Sequence, residues 1–80
     1  MKVEVRLYAT LVDGQPGLRA GDPALLEFRD GASFSDLLRR LGIDPRAVHL
    51  VIINGRLVHD RTVDLSDGDR VGLFPPVGGG

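Results

Sequence analysis

Val3, Val5 and Leu7 alternate with Glu4, Arg6 and Tyr8 near the start of the chain, the two-residue period of a strand that buries one face. Residues 13–23 contain Gly14, Pro16, Gly17, Gly21 and Pro23 and read as a long, mobile loop. Residues 24–28 predict a second short strand with Leu26 and Phe28 on one face. The period then changes. Phe34, Leu37, Leu38 and Leu41 fall at i, i+3, i+4 and i+7, the apolar stripe of a short amphipathic helix. Ser33 is placed to cap it, with Asp36 three residues on in the capping-box position. Gly42 suits the helix end, and Pro45 prevents the helix from resuming. Arg39 and Arg40 stand in the last turn, where the helix dipole favours cations, and read as a solvated helix end.

Residues 48–53 are apolar apart from His49, which predicts a strand buried on both faces. Asn54-Gly55 links it to Leu57 and Val58, a strong hairpin signal because both turn positions need positive φ. Asp67-Gly68 marks another turn. It leads into a last strand at residues 70–74, with Val71 and Leu73 on one side and Arg70, Gly72 and Phe74 on the other. Pro75-Pro76 ends the pairing. This order predicts an α+β fold: one main helix packed across a mixed sheet of four to five strands. The first and last strands lie side by side and parallel. That arrangement is the β-grasp, or ubiquitin-like, fold. Residues 1–74 are expected to form it, with residues 75–80 as a flexible C-terminal tail.

Composition narrows the chemistry. Eighty residues hold one core and leave no room for a deep substrate cleft. Hydrophobic residues make up 42% of the chain, enough to argue against disorder. There is no cysteine, so a thiol nucleophile, a CxxC redox pair and a Cys-ligated zinc are all excluded. Ten Lys and Arg face eleven Asp and Glu, without the basic surplus of a nucleic-acid binder. The alternating first strand is not the apolar core of a signal peptide, and no stretch reaches membrane-span length. A cytoplasmic location and no membrane partner are therefore expected.

No arrangement of side chains suggests catalysis. Ser33, Ser35, Ser66, His49 and His59 lack any nucleophile-elbow context, and Ser33 already has a capping role. His49, His59 and Asp60 do not have the ligand spacing of structural zinc and read as surface groups. Gly14 and Gly17 lie between two strands, whereas a phosphate loop joins a strand to a helix. The sequence thus predicts no catalytic residues, no metal and no bound cofactor. The chain reads as the substrate or subunit of another enzyme.

The tail is the exception. Phe74 is followed by Pro75, Pro76, Val77, Gly78, Gly79 and Gly80. Two prolines bias the exit toward an extended conformation. Three glycines give no packing and lose the most entropy on ordering, so they make sense as a thread admitted by something else. From Pro75 to Gly80 such a thread reaches roughly 20 Å at about 3.3–3.6 Å per residue. A terminal carboxylate is ionised at neutral pH and can attack the α-phosphate of ATP. The resulting acyl adenylate is open to capture by sulfur or nitrogen. By alternation Phe74 points away from the helix, beside this tail. It reads as a docking anchor or as a group closing an edge of the core, and the first suits an exposed position better.

The segment Gly68-Asp69-Arg70-Val71, then Pro75-Pro76-Val77, a small residue at Gly78 and Gly79-Gly80, resembles the ending of the MoaD/ThiS family of ubiquitin-like sulfur carriers. It is nearer to MoaD, the molybdopterin synthase small subunit. Leu7-Tyr8-Ala9-Thr10-Leu11 resembles that branch's first strand and its exit. The resemblance implies an E1-like adenylyltransferase as partner, which uses ATP to activate Gly80 and replaces a carboxyl oxygen with sulfur. The thiocarboxylate then enters a large synthase subunit, or another sulfur acceptor enzyme, and donates sulfur in cofactor biosynthesis, molybdopterin above all. The same resemblance implies that Gly79 keeps the channel clear and that Pro75, Pro76, Val77 and Gly78 line the partner contact, which Phe74 would join as the docking anchor. Two other readings remain: a ubiquitin-like modifier conjugated through Gly80, which shares the tail and its activation, and a non-covalent β-grasp interaction module, for which the tail is incidental.

Overall fold

The computed structural model describes residues 1–76. In chain order its elements are β1 (Lys2–Leu7), β2 (Pro23–Glu27), α1 (Phe34–Leu41), β3 (Leu50–Ile53), β4 (Arg56–Leu57) and β5 (Arg70–Phe74). Single 3₁₀ turns at Ala9–Val12 and Pro45–Ala47 join them. The five strands form one mixed sheet in the order β2-β1-β5-β3-β4. β1 and β5 are central and parallel, with Val5 opposite Val71 and Leu7 opposite Leu73. Every other pairing is antiparallel. This is the predicted β-grasp.

One helix covers one face of the sheet. Val3, Val5 and Leu7 from β1, Val51 from β3, and Val71 and Leu73 from β5 meet Phe34, Leu37 and Leu38 of α1. Phe34 is 1% exposed and Leu37 and Leu73 are fully buried. Each such side chain contributes about 1.5–3 kcal/mol through burial. The helix is closed at both ends. The Asp36 N–H donates to Ser33 Oγ (3.2 Å), and the Ser33 N–H donates to Asp36 Oδ2 (2.9 Å), a complete capping box. That backbone donor, followed by the Ser33 hydroxyl and the nearby Arg29 and Arg39, holds the Asp36 carboxyl below its ordinary value. At the other end Gly42 takes φ 68°, which a side chain would disfavour.

One sequence expectation fails. Residues 48–53 are not a strand buried on both faces: β3 begins at Leu50, with Val51 1% and Leu50 38% exposed. Val48 is buried, but it lies in the connection before the strand. A single helix cannot cover two faces, so alternate residues of β3 remain open to solvent.

The connections are more ordered by contact than their composition suggests. Leu11 enters the core from the first 3₁₀ turn. The Gly21 N–H donates to Leu7 O (2.8 Å), Arg6 Nη1 donates to Gly21 O (3.0 Å) and Gln15 Nε2 donates to Leu41 O (2.7 Å). Arg39 pairs with Asp36, while Arg40 Nη1 donates to Glu27 O (2.8 Å) with its guanidinium 5.4 Å from the Phe28 ring centre. Arg40 therefore occupies the free edge of β2. Among the described residues, no helix is long and apolar enough to cross a membrane.

Candidate docking face beside the C-terminal exit

The face opposite α1 is set by strand register. β1 places Glu4 opposite Arg70 and Arg6 opposite Gly72. β3 places Ile52 opposite Gly72 and Leu50 opposite Phe74, and β4 places Leu57 opposite Ile52. Alternation along each strand puts all of these side chains on the open face. The Asn54-Gly55 turn, with φ of 53° and 80°, holds Leu57 in this register.

The face has two halves. At the end where β5 finishes, Tyr8 and Phe74 stack with ring centres 4.3 Å apart and planes 3° from parallel. The Tyr8 N–H donates to Leu73 O (3.1 Å) and the His49 N–H to Phe74 O (2.7 Å). Backbone pairing thus fixes both rings up to the last residue of β5. Leu50 (38% exposed) and Leu57 (51% exposed), together with Ile52, extend this apolar area toward β4. Exposed apolar side chains gathered on one face mark an interaction surface more often than isolated ones do.

The other half carries Glu4, Arg6 and Arg70, with Leu25 (72% exposed) opposite Glu4 on β2. Arg6 Nε donates to Glu4 Oε2 (3.3 Å), and Arg70 stands across the parallel pair from Glu4. Between the halves lies an open depression of about 380 Å³. Gly72 is part of its lining, and a β-carbon there would come within 3.5 Å of the Phe74 ring and 3.6 Å of the Tyr8 ring.

The sequence-predicted site residues divide at Pro76. Phe74 is half-buried in the stack, on the side of the sheet away from α1, as alternation predicted. Pro75 is half-buried and Pro76 exposed just beyond it. Val77, Gly78, Gly79 and Gly80 lie outside the described residues. Sequence reasoning missed Tyr8, Leu50, Ile52, Leu57 and Arg70. The signal for them was present: the alternation that orients Phe74 orients Tyr8, and the Asn-Gly turn sets Leu57 beside Ile52.

A helix laid over one side of a mixed sheet, with an open face beside the C-terminal exit, defines a ubiquitin-like β-grasp protein. The chain belongs to the ThiS family, whose model matches residues 5–80. It is similar to the protein assigned as molybdopterin converting factor subunit 1 from Pyrococcus furiosus, at 27% identity and TM-score 0.71, covering 96% of this chain and 99% of that one. It is also similar to the HVO 2177 protein of Haloferax volcanii, at 33% identity and TM-score 0.72, covering 100% and 87%. A third similar structure is the complex of subunits 1 and 2 of molybdopterin-converting factor from Helicobacter pylori, at 25% identity and TM-score 0.64, covering 100% of both chains. No curated protein sequence matches the chain.

Proposed function

We propose that this chain is a sulfur carrier that works through Gly80, serving cofactor biosynthesis and molybdopterin in particular. The observation that carries the proposal is that the family match runs through the glycine tail to residue 80, on a fold whose apolar open face adjoins the exit of that tail. Similarity to molybdopterin converting factor subunit 1 from two organisms supports the choice of pathway.

The chemistry is that of a carboxylate. An oxygen of the Gly80 carboxylate attacks the α-phosphorus of ATP, pyrophosphate leaves, and an acyl adenylate forms. A sulfide equivalent attacks the acyl carbon and AMP departs with one former carboxylate oxygen. The product is a thiocarboxylate. An E1-like adenylyltransferase supplies the nucleotide site, since the carrier itself needs only an unobstructed end. The absence of cysteine suits a protein that holds its sulfur on the backbone terminus.

In this reading Phe74, Pro75 and Pro76 aim the tail, and the stacked rings with Leu50, Ile52 and Leu57 dock on a larger synthase subunit. The Helicobacter complex, in which subunit 1 is bound to subunit 2, supports such a partner. The test is ATP–pyrophosphate exchange with the E1-like enzyme encoded in the same genome. Exchange that depends on the carrier, and is lost on deleting Gly79 and Gly80, supports the proposal. Exchange followed by an amide to a lysine of another protein would make the chain a modifier. No exchange would leave a non-covalent interaction module.

A further inference from the structure

We infer that the charged half of the open face, at Arg70, receives a carboxylate side chain of the partner protein that covers the apolar half. The inference rests on the docking reading above and adds the chemistry of the partner's contact. Three observations carry it.

The first is charge. Glu4 is bonded to Arg6 at 3.3 Å and lies opposite Arg70 in the strand register. Arg6 is further held by Gly21 O. Arg70 is exposed, and among the described residues no carboxylate lies within ion-pair distance of it. The Glu4 carboxylate is engaged by Arg6, so the Arg70 guanidinium is open to a carboxylate from outside.

The second is space. The depression of about 380 Å³ reaches from Arg70 and Glu4 to the Tyr8–Phe74 stack, with Gly72 between them. Gly72 contributes no side chain to a position where Arg6 and Ile52 are its neighbours on either strand. A partner side chain can therefore lie flat over the β5 backbone and reach the guanidinium from the apolar side.

The third is continuity. Arg70 and Phe74 project from the same face of the same strand, four residues apart. A protein that covers Phe74 and Leu57 partly shields Arg70 from water, which strengthens a pairing that is weak when fully solvated. Such a contact acts mainly on orientation and association rate, and so selects among partners.

The experiment titrates the chain with the subunit 2 homologue encoded in the same genome, by calorimetry and stopped-flow mixing. The variants are Arg70→Glu, Arg70→Lys and Leu57→Asp. Arg70→Glu is expected to weaken binding about tenfold or more, largely through slower association, and Arg70→Lys to stay within about threefold. Raising salt from about 0.05 M to about 0.5 M is expected to slow association of the native chain more than that of Arg70→Glu. If reversal lowers the melting temperature, Arg70→Gln carries the same comparison without added repulsion. If Leu57→Asp weakens binding while neither the reversal nor Arg70→Gln does, the docking reading stands and the carboxylate contact is refuted. If none of them changes binding, both fall.

Discussion

Tyr8 and Phe74, sixty-six positions apart in the sequence (74 − 8), lie face to face at 4.3 Å on the open side of the sheet. Tyr8 directly follows β1 and Phe74 ends β5, so their contact joins the ends of the two central parallel strands. Stacked pairs of this kind contribute about 0.5–1.5 kcal/mol beyond their burial. A double-mutant cycle of Tyr8→Leu and Phe74→Leu, followed by urea unfolding, is therefore expected to give a coupling of about 1 kcal/mol. Additive effects would mean that the rings pack independently.

Phe74→Ala separates docking from folding. The ring is half-buried and outside the core. Its loss is expected to cost about 1–2 kcal/mol of stability, yet to weaken synthase-subunit binding by about 2 kcal/mol or more, roughly thirtyfold, if it anchors the interface. Parallel melts and calorimetric titrations distinguish the two effects.

Asn54 does more than turn the chain. Its Nδ2 donates to Asp69 Oδ1 (2.8 Å), and its Oδ1 accepts from the Arg70 N–H (2.9 Å). Asp69, only 9% exposed, also accepts from the Ser66 N–H (2.8 Å). Asn54→Gly preserves the positive-φ turn and removes both side-chain bonds. The expected loss is about 1–3 kcal/mol in chemical denaturation. A neutral result would mean that the turn alone accounts for the residue.

Helix capping gives a pH dependence of known sign. The Ser33 N–H, the Ser33 hydroxyl and the nearby arginines favour the ionised Asp36, so its folded value lies below 3.8. Its contribution is fully present above the unfolded value and is lost as pH falls from about 4 through the folded value. Ser33→Ala is expected to cost about 1 kcal/mol at neutral pH and to flatten the acid limb of the stability curve only in part, because the backbone N–H at position 33 still donates to Asp36. Asp36→Asn, in contrast, is expected to remove its contribution to that limb. Melts at stepped pH read both effects.

Much of this was legible because it is local. The period of β1, the i, i+3, i+4, i+7 stripe of α1, its Ser33 and Gly42 ends and the Asn54-Gly55 turn each depend on a few neighbouring residues. Which side of a strand is covered depends on something distant. Val48, Leu50, Val51, Ile52 and Ile53 look equally buried in sequence, and only the placement of α1 leaves Leu50 and Ile52 on the open side. The ties that fix residues 9–22, such as Arg6 to Gly21 and Gln15 to Leu41, are also long-range and leave no local pattern. Phe74 was found because alternation fixes its side of β5. The same alternation puts Tyr8 on that face, but its contact with Phe74 depends on the parallel register of two strands at opposite ends of the chain.

The central claim concerns Gly80 and is tested most directly by the mass of the C-terminal peptide from protein isolated from its native host. The account predicts a fraction whose mass reflects one oxygen replaced by sulfur, confined to Gly80 and absent when the E1-like enzyme is deleted. A terminus that stays an ordinary carboxylate under sulfur-replete growth, with that enzyme present, would contradict it.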